Sequence, residues 1–335
     1  MKKSFILFLL ALLTLAPMAW AQTIVSTEAQ LRNAIAIDGA NIQISRTIIL
    51  AKHLAIEPGY TITIDLNGHT LKRNLTSATD LGCVIIVTQT GNLTLEGGTV
   101  SGGWNNSTTG NTAGGIVNKG TLTLNNVTID NCKGIDGGAI MNVDDATLAI
   151  TGGTISNCQS TAHGGGAIVN YGTATLSGCT MSGNTAYSRG GAIWNNGSLT
   201  VSGCTFSGNN ATNNDGGALH LESGTATLTD VTVTNNTSKD AGGIYVHSAA
   251  TLNLGGATGS TLSGNTSSAH GGGGIVNYGT AALNGTVSVT GNTCHTDGGG
   301  IWNNGTLRMQ GDIQVKDNTG DVIYMKSGKL IDVTG

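Results

Sequence analysis

A short motif recurs eight times between Gly114 and Thr319, and it constrains the fold more than any other feature of the chain. It consists of two glycines, an optional Ala, an aliphatic residue, a variable residue and Asn. The clear copies are GGIVN (114–118), GGAIMN (137–142), GGAIVN (165–170), GGAIWN (190–195), GGIVN (273–277) and GGIWN (299–303), and the degenerate ones are GGALHL (216–221) and GGIYVH (242–247). A unit of about 26 residues cannot bury a core by itself, so it must stack on its neighbours as a solenoid.

Each unit also carries two alternating stretches that favour β-strands. The first is of the T-L-T-L type, as in 121–124 and 173–176. The second places an apolar residue three positions before Asn or Cys, as in Phe206 and Asn209. Period-two alternation puts the aliphatic side chains on one face and the Thr side chains on the other. We therefore predict an all-β chain, a right-handed parallel β-helix with about three short strands per coil.

Two columns of Asn are predicted to close the bends between strands. A buried amide satisfies backbone groups at a bend and bonds to the amide of the next coil. The first column contains Asn118, Asn142, Asn170, Asn195, Asn277 and Asn303, and the second contains Asn184, Asn209, Asn236, Asn265, Asn292 and Asn318. We predict that both are structural ladders.

The regions outside the regular coils have distinct expected roles. Residues 1–21 have the pattern of a signal peptide, with Lys2 and Lys3 before an apolar run and a small-x-small cleavage site ending at Ala21. Residues 22–335 are predicted to form one domain. Within it, 22–113 hold a helix over 27–37 that caps the first coil and irregular early coils, 114–319 hold the regular coils, and 320–335 hold the last strands. We expect 104–113 to form a projecting polar loop, and no C-terminal barrel.

Charge limits the classes of partner. The formal net charge is −4, and removal of the leader's Lys2 and Lys3 gives −4 − 2 = −6. This balance argues against nucleic acid and against anionic membrane surfaces as partners. We therefore expect an exported, monomeric rod without membrane insertion, located in the periplasm, outside the cell or at the outer-membrane surface.

The repeat resembles a known family. GGAIWN (190–195) followed by FSGN (206–209) is similar to the GGAI and FxxN repeats of the polymorphic outer membrane proteins, and NGHTL (67–71) is similar to segments of pectate-lyase-like β-helix proteins. This resemblance implies a secreted or surface-displayed β-helix, often an adhesin. Its expected partners are extracellular glycans or host and matrix proteins.

The variable position of the motif is the candidate binding surface. If the aliphatic residue and the Asn point inward, the residue between them points outward, and this row contains Trp194, His220, Tyr245 and Trp302. Tyr171 and Tyr278 take the next outward position. An exposed row of this kind suits sugar rings or a protein partner. The alternative is that a loop or an N-terminal segment covers the row, or that its side chains face inward.

Catalytic chemistry is less well supported. Asp144, Asp145 and His163 are only partly similar to the aspartates and GHG histidine of polygalacturonases, because residue 162 is Ala. Histidines and aspartates that precede the Gly-Gly turns are interpreted as polar loop surface. We expect no catalytic residues, no metal and no cofactor. A polysaccharide lyase or polygalacturonase-like hydrolase is the alternative, and calcium would be expected only for a lyase.

Two further features leave alternatives open. Cys132 and Cys158 occupy equivalent positions in adjacent coils, as do Cys179 and Cys204, so each pair is either a disulfide or two small buried side chains. Thr121 begins a column of hydroxyl residues that continues to Thr306, with partial T-x-T pairs. Ice binding is a minor alternative for that face, because Ala149, Asn253, Ala282 and Arg308 interrupt the second column.

Overall fold

The computed structural model describes residues 22–320, 322–329 and 331–334, so the predicted leader lies outside the described residues. The chain forms a right-handed parallel β-solenoid of about 11 turns, as predicted. A short N-terminal helix spans Glu28–Ile35 and buries Leu31, Ala34 and Ile35. Thr27 is its N-cap and accepts a hydrogen bond from the backbone N–H of Gln30, which satisfies one of the helix's free donors.

Strands at equivalent positions of successive coils pair in parallel and form sheets that run along the solenoid. The first sheet holds the aliphatic-x-Asn segments Ile116–Asn118, Ile140–Asn142, Ile168–Asn170, Ile193–Asn195, Ile275–Asn277 and Ile301–Asn303, and the equivalent strands without Asn, Leu54–Ile56, Ile85–Val87 and Ile323–Met325. The second sheet holds the T-L-T-L segments: Thr23–Val25, Asn41–Ile44, Thr61–Asp65, Thr147–Thr151, Thr173–Ser177, Ser198–Ser202 and Ile331–Thr334.

The third sheet precedes the second Asn column, and a fourth follows it. The third holds Ile48–Ile49, Thr70–Lys72, Thr154–Ser156, Thr180–Ser182, Thr205–Ser207 and Thr232–Thr234. The fourth, which lies beyond the three strands expected per coil, holds Lys133–Gly134, Gln159–Ser160, Thr185–Ala186, Asn210–Asp215, Thr237–Asp240, Thr266–His270 and Thr293–Cys294. Six longer strands bend from one sheet into the next: Asn92–Ser101, Thr121–Asp130, Leu219–Thr229, Ile244–Ser263, Thr280–Thr290 and Thr306–Lys316.

The two Asn columns hydrogen-bond along the solenoid axis. In the first ladder, Nδ2 of Asn142 donates to Oδ1 of Asn170 in the next coil at 2.7 Å. In the second, both the backbone N–H and Nδ2 of Asn209 donate to Oδ1 of Asn236, each at 2.9 Å. Leu221 and Val246 occupy the Asn position in the two degenerate coils and interrupt the first ladder. Each continuous ladder satisfies buried polar groups that the bends leave free.

All six cysteines are buried free thiols in this structure. The Sγ atoms of Cys179 and Cys204 lie 3.1 Å apart, because the two residues are stacked in adjacent coils. Cys158 extends the second Asn ladder by one coil toward the N-terminus, since its backbone N–H donates to Oδ1 of Asn184 at 3.0 Å. The geometry thus brings the predicted partners Cys179 and Cys204 together without a bond between them.

The hydroxyl columns are also in register. Thr147 pairs with Thr121 and Thr173 in the second sheet, and the Thr column there aligns as expected. The third sheet carries a longer column that sequence reasoning missed: Thr70, Thr99, Thr128, Thr154, Thr180, Thr205, Thr232, Thr261 and Ser288. Both columns lie on outer faces of the coil, because the residues next to them in each strand fill the core.

Candidate ligand-binding cleft

The variable residues of the motif stack into a single outer column on the first sheet. Each member is the register partner of the next, so the column runs without interruption along the solenoid. The column contains Ile86, Val117, Met141, Val169, Trp194, His220, Tyr245, Val276, Trp302 and Tyr324. It is aliphatic in its N-terminal half and mostly aromatic in its C-terminal half.

The aliphatic half is covered by a loop, so the alternative of a covered row is correct for this half and the prediction of an exposed row is wrong there. Val117 and Met141 are buried with Cys83 and Ala113 in a second, small apolar cluster. Asn105 is 1% exposed, and its side chain binds the backbone of Ala113 and of Gly82. The loop 104–113 therefore lies against the coil and does not project, because its buried polar groups require these partners.

The middle of the column is also closed to ligands. His220 is 1% exposed, and its Nε2 lies 3.0 Å from a carboxylate oxygen of Glu222, which also binds Arg189 at 3.0 Å. The hydrogen bond from His220 lowers the pKa of Glu222 to about 2, and burial lowers the pKa of His220. His220 is therefore a buried, neutral donor, and its predicted role as an exposed ligand contact is wrong.

Tyr171 and Trp194 form a separate aromatic pair. Their ring centroids are 5.8 Å apart in an edge-to-face arrangement, and Tyr171 packs against the small apolar cluster. The Trp194 ring lies against Gly164 of the preceding coil, and a Cβ on Gly164 would come within 2.9 Å of the ring. These two predicted binding residues pack within the protein and do not line the cleft described next.

A cleft of about 430 Å³ opens over the C-terminal half of the column. Tyr245, Tyr278 and Trp302 supply its aromatic surface, and Val276 lies on the column between Tyr245 and Trp302. Its remaining lining residues are Asp240, His270, Gly271, Thr296 and Asp297. The centroid of Tyr278 lies 5.6 Å from that of Tyr245 and 4.9 Å from that of Trp302, so the three rings form a continuous row.

Carboxylates reach this row from the loops that precede the Gly-Gly turns. Asp215, Asp240 and Asp297 each lie four residues before the aliphatic residue of a first-sheet strand (219, 244 and 301). Asp240 is the register partner of Asp215 in one neighbouring coil and of His270 in the other. Nδ1 of His270 lies 3.4 Å from Oδ1 of Asp240. The polar loop residues and the aromatic row therefore form one site.

Glycines allow the loops to lie directly beside the column. Gly271 has φ +71°, and a Cβ there would come within 2.7 Å of Val276. Gly298 has φ +74°, and a Cβ there would come within 3.0 Å of the Cβ of Trp302. Side chains at these two positions would be strained and would push the loop outward, so the glycines hold the carboxylates next to the rings.

The electrostatic environment of the cleft is acidic. Burial, followed by repulsion from Asp240, raises the pKa of Asp215 to about 6. Burial and the charge of Asp215 raise the pKa of Tyr245, so its phenol stays protonated at neutral pH. Among the described residues, no Lys or Arg lines the cleft. The site thus combines neutral aromatic faces and hydroxyls with negative charge.

Other predicted polar residues are not brought together. Nδ1 of His163 binds Asp136 at 2.9 Å, whereas Asp144 and Asp145 line a different shallow groove with Lys119. The partial polygalacturonase-like set is therefore divided between two places. Among the described residues, no group of three or more His, Cys, Asp or Glu side chains has the geometry of a metal site.

Sequence reasoning identified the aromatic row and the loop aspartates Asp215 and Asp297, but it missed Asp240 and did not connect the aspartates with the row. The signal was the fixed spacing of four residues between Asp and the inward aliphatic residue, which Asp136 shares with the three aspartates near the row, in four coils. Equal spacing from an aligned position places side chains in register in a solenoid. The comparison of loops across coils would therefore have placed Asp240 and Asp297 beside Tyr245 and Trp302.

Comparison with known proteins supports the architecture. A family model described as a right handed beta helix region matches residues 115–319. No curated protein and no solved structure matches the chain. No helix in the described part of the chain is long and apolar enough to cross a membrane.

Proposed function

This chain belongs to the right-handed β-helix family, and we propose that it is a binding protein that takes a carbohydrate into the cleft beside Tyr245, Tyr278 and Trp302. One observation carries this proposal: three neighbouring aromatic rings and two carboxylates line a single open cleft on an otherwise polar rod. Sugar rings have apolar C–H faces and polar edges, and they require both kinds of surface.

The rings and the carboxylates have separate roles in this proposal. Aromatic faces contribute apolar contact area at little entropic cost, since their side chains have few rotatable bonds. The carboxylates of Asp240 and Asp297 accept hydrogen bonds from sugar hydroxyls, and such charge-assisted bonds are shorter and stronger than neutral ones. Because the rings follow the solenoid axis over successive coils, an extended oligosaccharide fits better than a single sugar.

We further propose that the rod acts outside the cytoplasm as an adhesin-like protein. The leader pattern of residues 1–21 and the similarity of GGAIWN (190–195) and FSGN (206–209) to polymorphic outer membrane protein repeats support this location and role. A long solenoid presents its side to a partner, which suits attachment to a polymer. The glycan itself is to be identified by experiment.

The test is a glycan array probed with three proteins: the native chain, Trp302→Ala and Trp194→Ala. Trp194 is a matched control, because it belongs to the same column but lies outside the cleft. We expect native binding to at least one glycan, loss of binding with Trp302→Ala, and retention with Trp194→Ala. Circular dichroism checks that both variants are folded. Equal binding by the native protein and folded Trp302→Ala would contradict the proposal.

A second candidate function is glycoside hydrolysis. Asp240 and Asp297 line the cleft from two coils that are separated by one further coil, at a rise of about 4.8 Å per coil. Inverting glycosidases hold their two carboxyl groups about 6.5–9.5 Å apart. Release of reducing ends from a polysaccharide panel, abolished by Asp240→Asn and by Asp297→Asn, would establish this activity. A calcium-dependent release from polyuronides would indicate a lyase instead.

A further inference from the structure

We propose that the cleft selects an amino sugar, and that the protonated amine of a glucosamine-type unit lies between its carboxylates and its aromatic faces. This inference rests on the proposed carbohydrate binding and names the class of sugar. It follows from two independent properties of the cleft, its charge and the arrangement of its rings.

The charge of the lining residues favours a cation. Asp240 and Asp297 line the cleft, and Asp215 lies next to Asp240 in the adjacent coil. The guanidinium of Arg189 is paired with Glu222 at 3.0 Å and does not line the cleft. Of the described lining residues, His270 is the basic one, and its Nδ1 lies 3.4 Å from Oδ1 of Asp240. An anionic polymer such as a polyuronide would place its carboxylates against those of the protein.

The rings favour a cation as well. One face of Tyr245 is stacked on His220 and one face of Trp302 on Tyr324, so the free faces of both rings are those on the Val276 side of the column. Ring faces carry negative electrostatic potential and attract ammonium groups within about 6 Å of the ring centre. Tyr278 is 39% exposed, so part of its surface remains open to a ligand. An ammonium between rings and carboxylates gains from both, whereas an N-acetyl group in the same place has no charge and offers a single neutral N–H donor and the apolar contact of its methyl group.

The neutral state of the phenols supports this selection. Burial and the neighbouring carboxylates raise the pKa of both Tyr245 and Tyr278. Both hydroxyls therefore remain protonated donors and acceptors in the range where an amino sugar is charged. The site thus offers neutral hydroxyls for the sugar edge and fixed negative charge for the amine.

The experiment compares two ligands of the same backbone. Isothermal titration calorimetry at pH 6 and low salt is performed with a β-1,4-linked glucosamine tetrasaccharide and with its fully N-acetylated counterpart, and a galacturonate tetrasaccharide is the anionic control. We expect the glucosamine tetrasaccharide to bind at least tenfold more tightly than the acetylated one, and the galacturonate not to bind. Salt at 0.5 M should reduce the preference, because exposed charge pairs are screened.

Variants separate the charge from the rings. Asp297→Asn keeps the shape of the side chain and should reduce the preference for glucosamine to less than threefold, while Trp194→Ala should leave it unchanged. Equal or tighter binding of the acetylated tetrasaccharide, sensitive to Trp302→Ala, would overturn the amine inference and leave carbohydrate binding intact. Binding of neither tetrasaccharide, with a different glycan retained on the array, would also overturn it. If the native protein binds none of the glycans tested, both the amine inference and the proposed carbohydrate binding are overturned.

Discussion

The ring centroids of Tyr278 and Trp302 lie 4.9 Å apart with their planes tilted by 46°, although the two residues belong to different positions of adjacent coils. Trp302 is the variable residue of its motif, whereas Tyr278 follows the Asn of the motif one coil earlier. The aromatic row therefore zigzags between two columns. This offset widens the row into a surface that a flat ring can contact, which a single-file column would not provide.

Substitution at Tyr278 should distinguish the ring face from the hydroxyl. Tyr278→Phe is expected to change the dissociation constant of the bound glycan less than threefold, because the ring and its contact with Trp302 remain. Tyr278→Ala is expected to weaken binding at least tenfold, about 1.4 kcal/mol, since the central ring of the row is lost. Calorimetry on both variants measures this. Equal losses for the two would assign the affinity to the hydroxyl.

Asp215 should make the protein less stable at neutral pH than at acidic pH. Its pKa in the folded state is about 6, above the ordinary value of 3.8, so the folded protein holds a proton that the unfolded chain releases. The contribution of this group to the free energy of unfolding is present below pH 3.8 and is lost as pH rises to 6. We expect Asp215→Asn to be about 1–2 kcal/mol more stable than the native protein at pH 8.

The same pair of proteins should be nearly equal in stability at pH 3.5, because both then have a neutral side chain at this position. Urea unfolding of each protein at the two pH values gives the comparison. A variant that is no more stable than the native chain at pH 8 would show that Arg189 compensates the buried charge fully. The substitution Asp332→Asn, at a solvent-exposed carboxylate, is the control.

The gap in the first Asn ladder leaves one buried acceptor free. Oδ1 of Asn277 has no hydrogen-bond partner among the described residues, because Val246 occupies the position where an Asn would donate. Leu221 occupies the equivalent position one coil earlier. A Val246→Asn substitution alone creates a new unsatisfied oxygen, whereas the pair Leu221→Asn and Val246→Asn continues the ladder from Asn195 to Asn277.

We therefore expect each single substitution to lower the free energy of unfolding. The double variant should lose less than the sum of the two single losses. The expected coupling is about 1–2 kcal/mol, the size of one or two buried hydrogen bonds in a double-mutant cycle. Urea unfolding of the four proteins measures it. Additive effects would mean that the backbone of these two coils does not let the amides reach one another.

The period of the sequence predicted the coil and its ladders because those features repeat. An Asn that recurs at a fixed position hydrogen-bonds the same backbone groups in every coil. The ladder role of Asn170 and Asn236 could therefore be predicted from the alignment of the repeats alone. The cap helix was equally clear, since Thr27 precedes one amphipathic segment. The fourth sheet escaped prediction because four of its seven strands have only two residues, and two residues show no alternation.

Features that occur once were not predictable in the same way. The loop 104–113 has a polar composition, yet its Asn105, Ser107 and Thr112 are buried, and the loop covers Val117 and Met141. No periodicity signals such a contact, because it joins a non-repeated segment to a repeated one. The loop 104–113 closes the N-terminal half of the column, and the His220–Glu222 pair closes its middle. The cleft therefore opens only beyond them, over the C-terminal half.

Cys179 and Cys204 are expected to form a disulfide under oxidising conditions. Their Sγ atoms lie 3.1 Å apart in the reduced structure, and formation of the bond at about 2.05 Å requires only small rotations of the side chains. The bond would close a loop of about 25 residues, which restricts the unfolded chain and stabilises the fold by about 3.5 kcal/mol in the chain-entropy model. Cys204 is the expected nucleophile, because its hydrogen bond with the Cys179 thiol lowers the pKa of Cys204, whereas burial raises the pKa of Cys83 to about 12 and suppresses its thiolate.

The measurement is peptide mapping by mass spectrometry after mild oxidation, together with urea unfolding with and without reductant. We expect a Cys179–Cys204 peptide pair, and a loss of stability on reduction that is absent from Cys204→Ser. Cys294→Ser is the matched control, because Cys294 is buried without a cysteine in the equivalent position of an adjacent coil. Recovery of both thiols unmodified after oxidation would show that the pair is only two small core side chains.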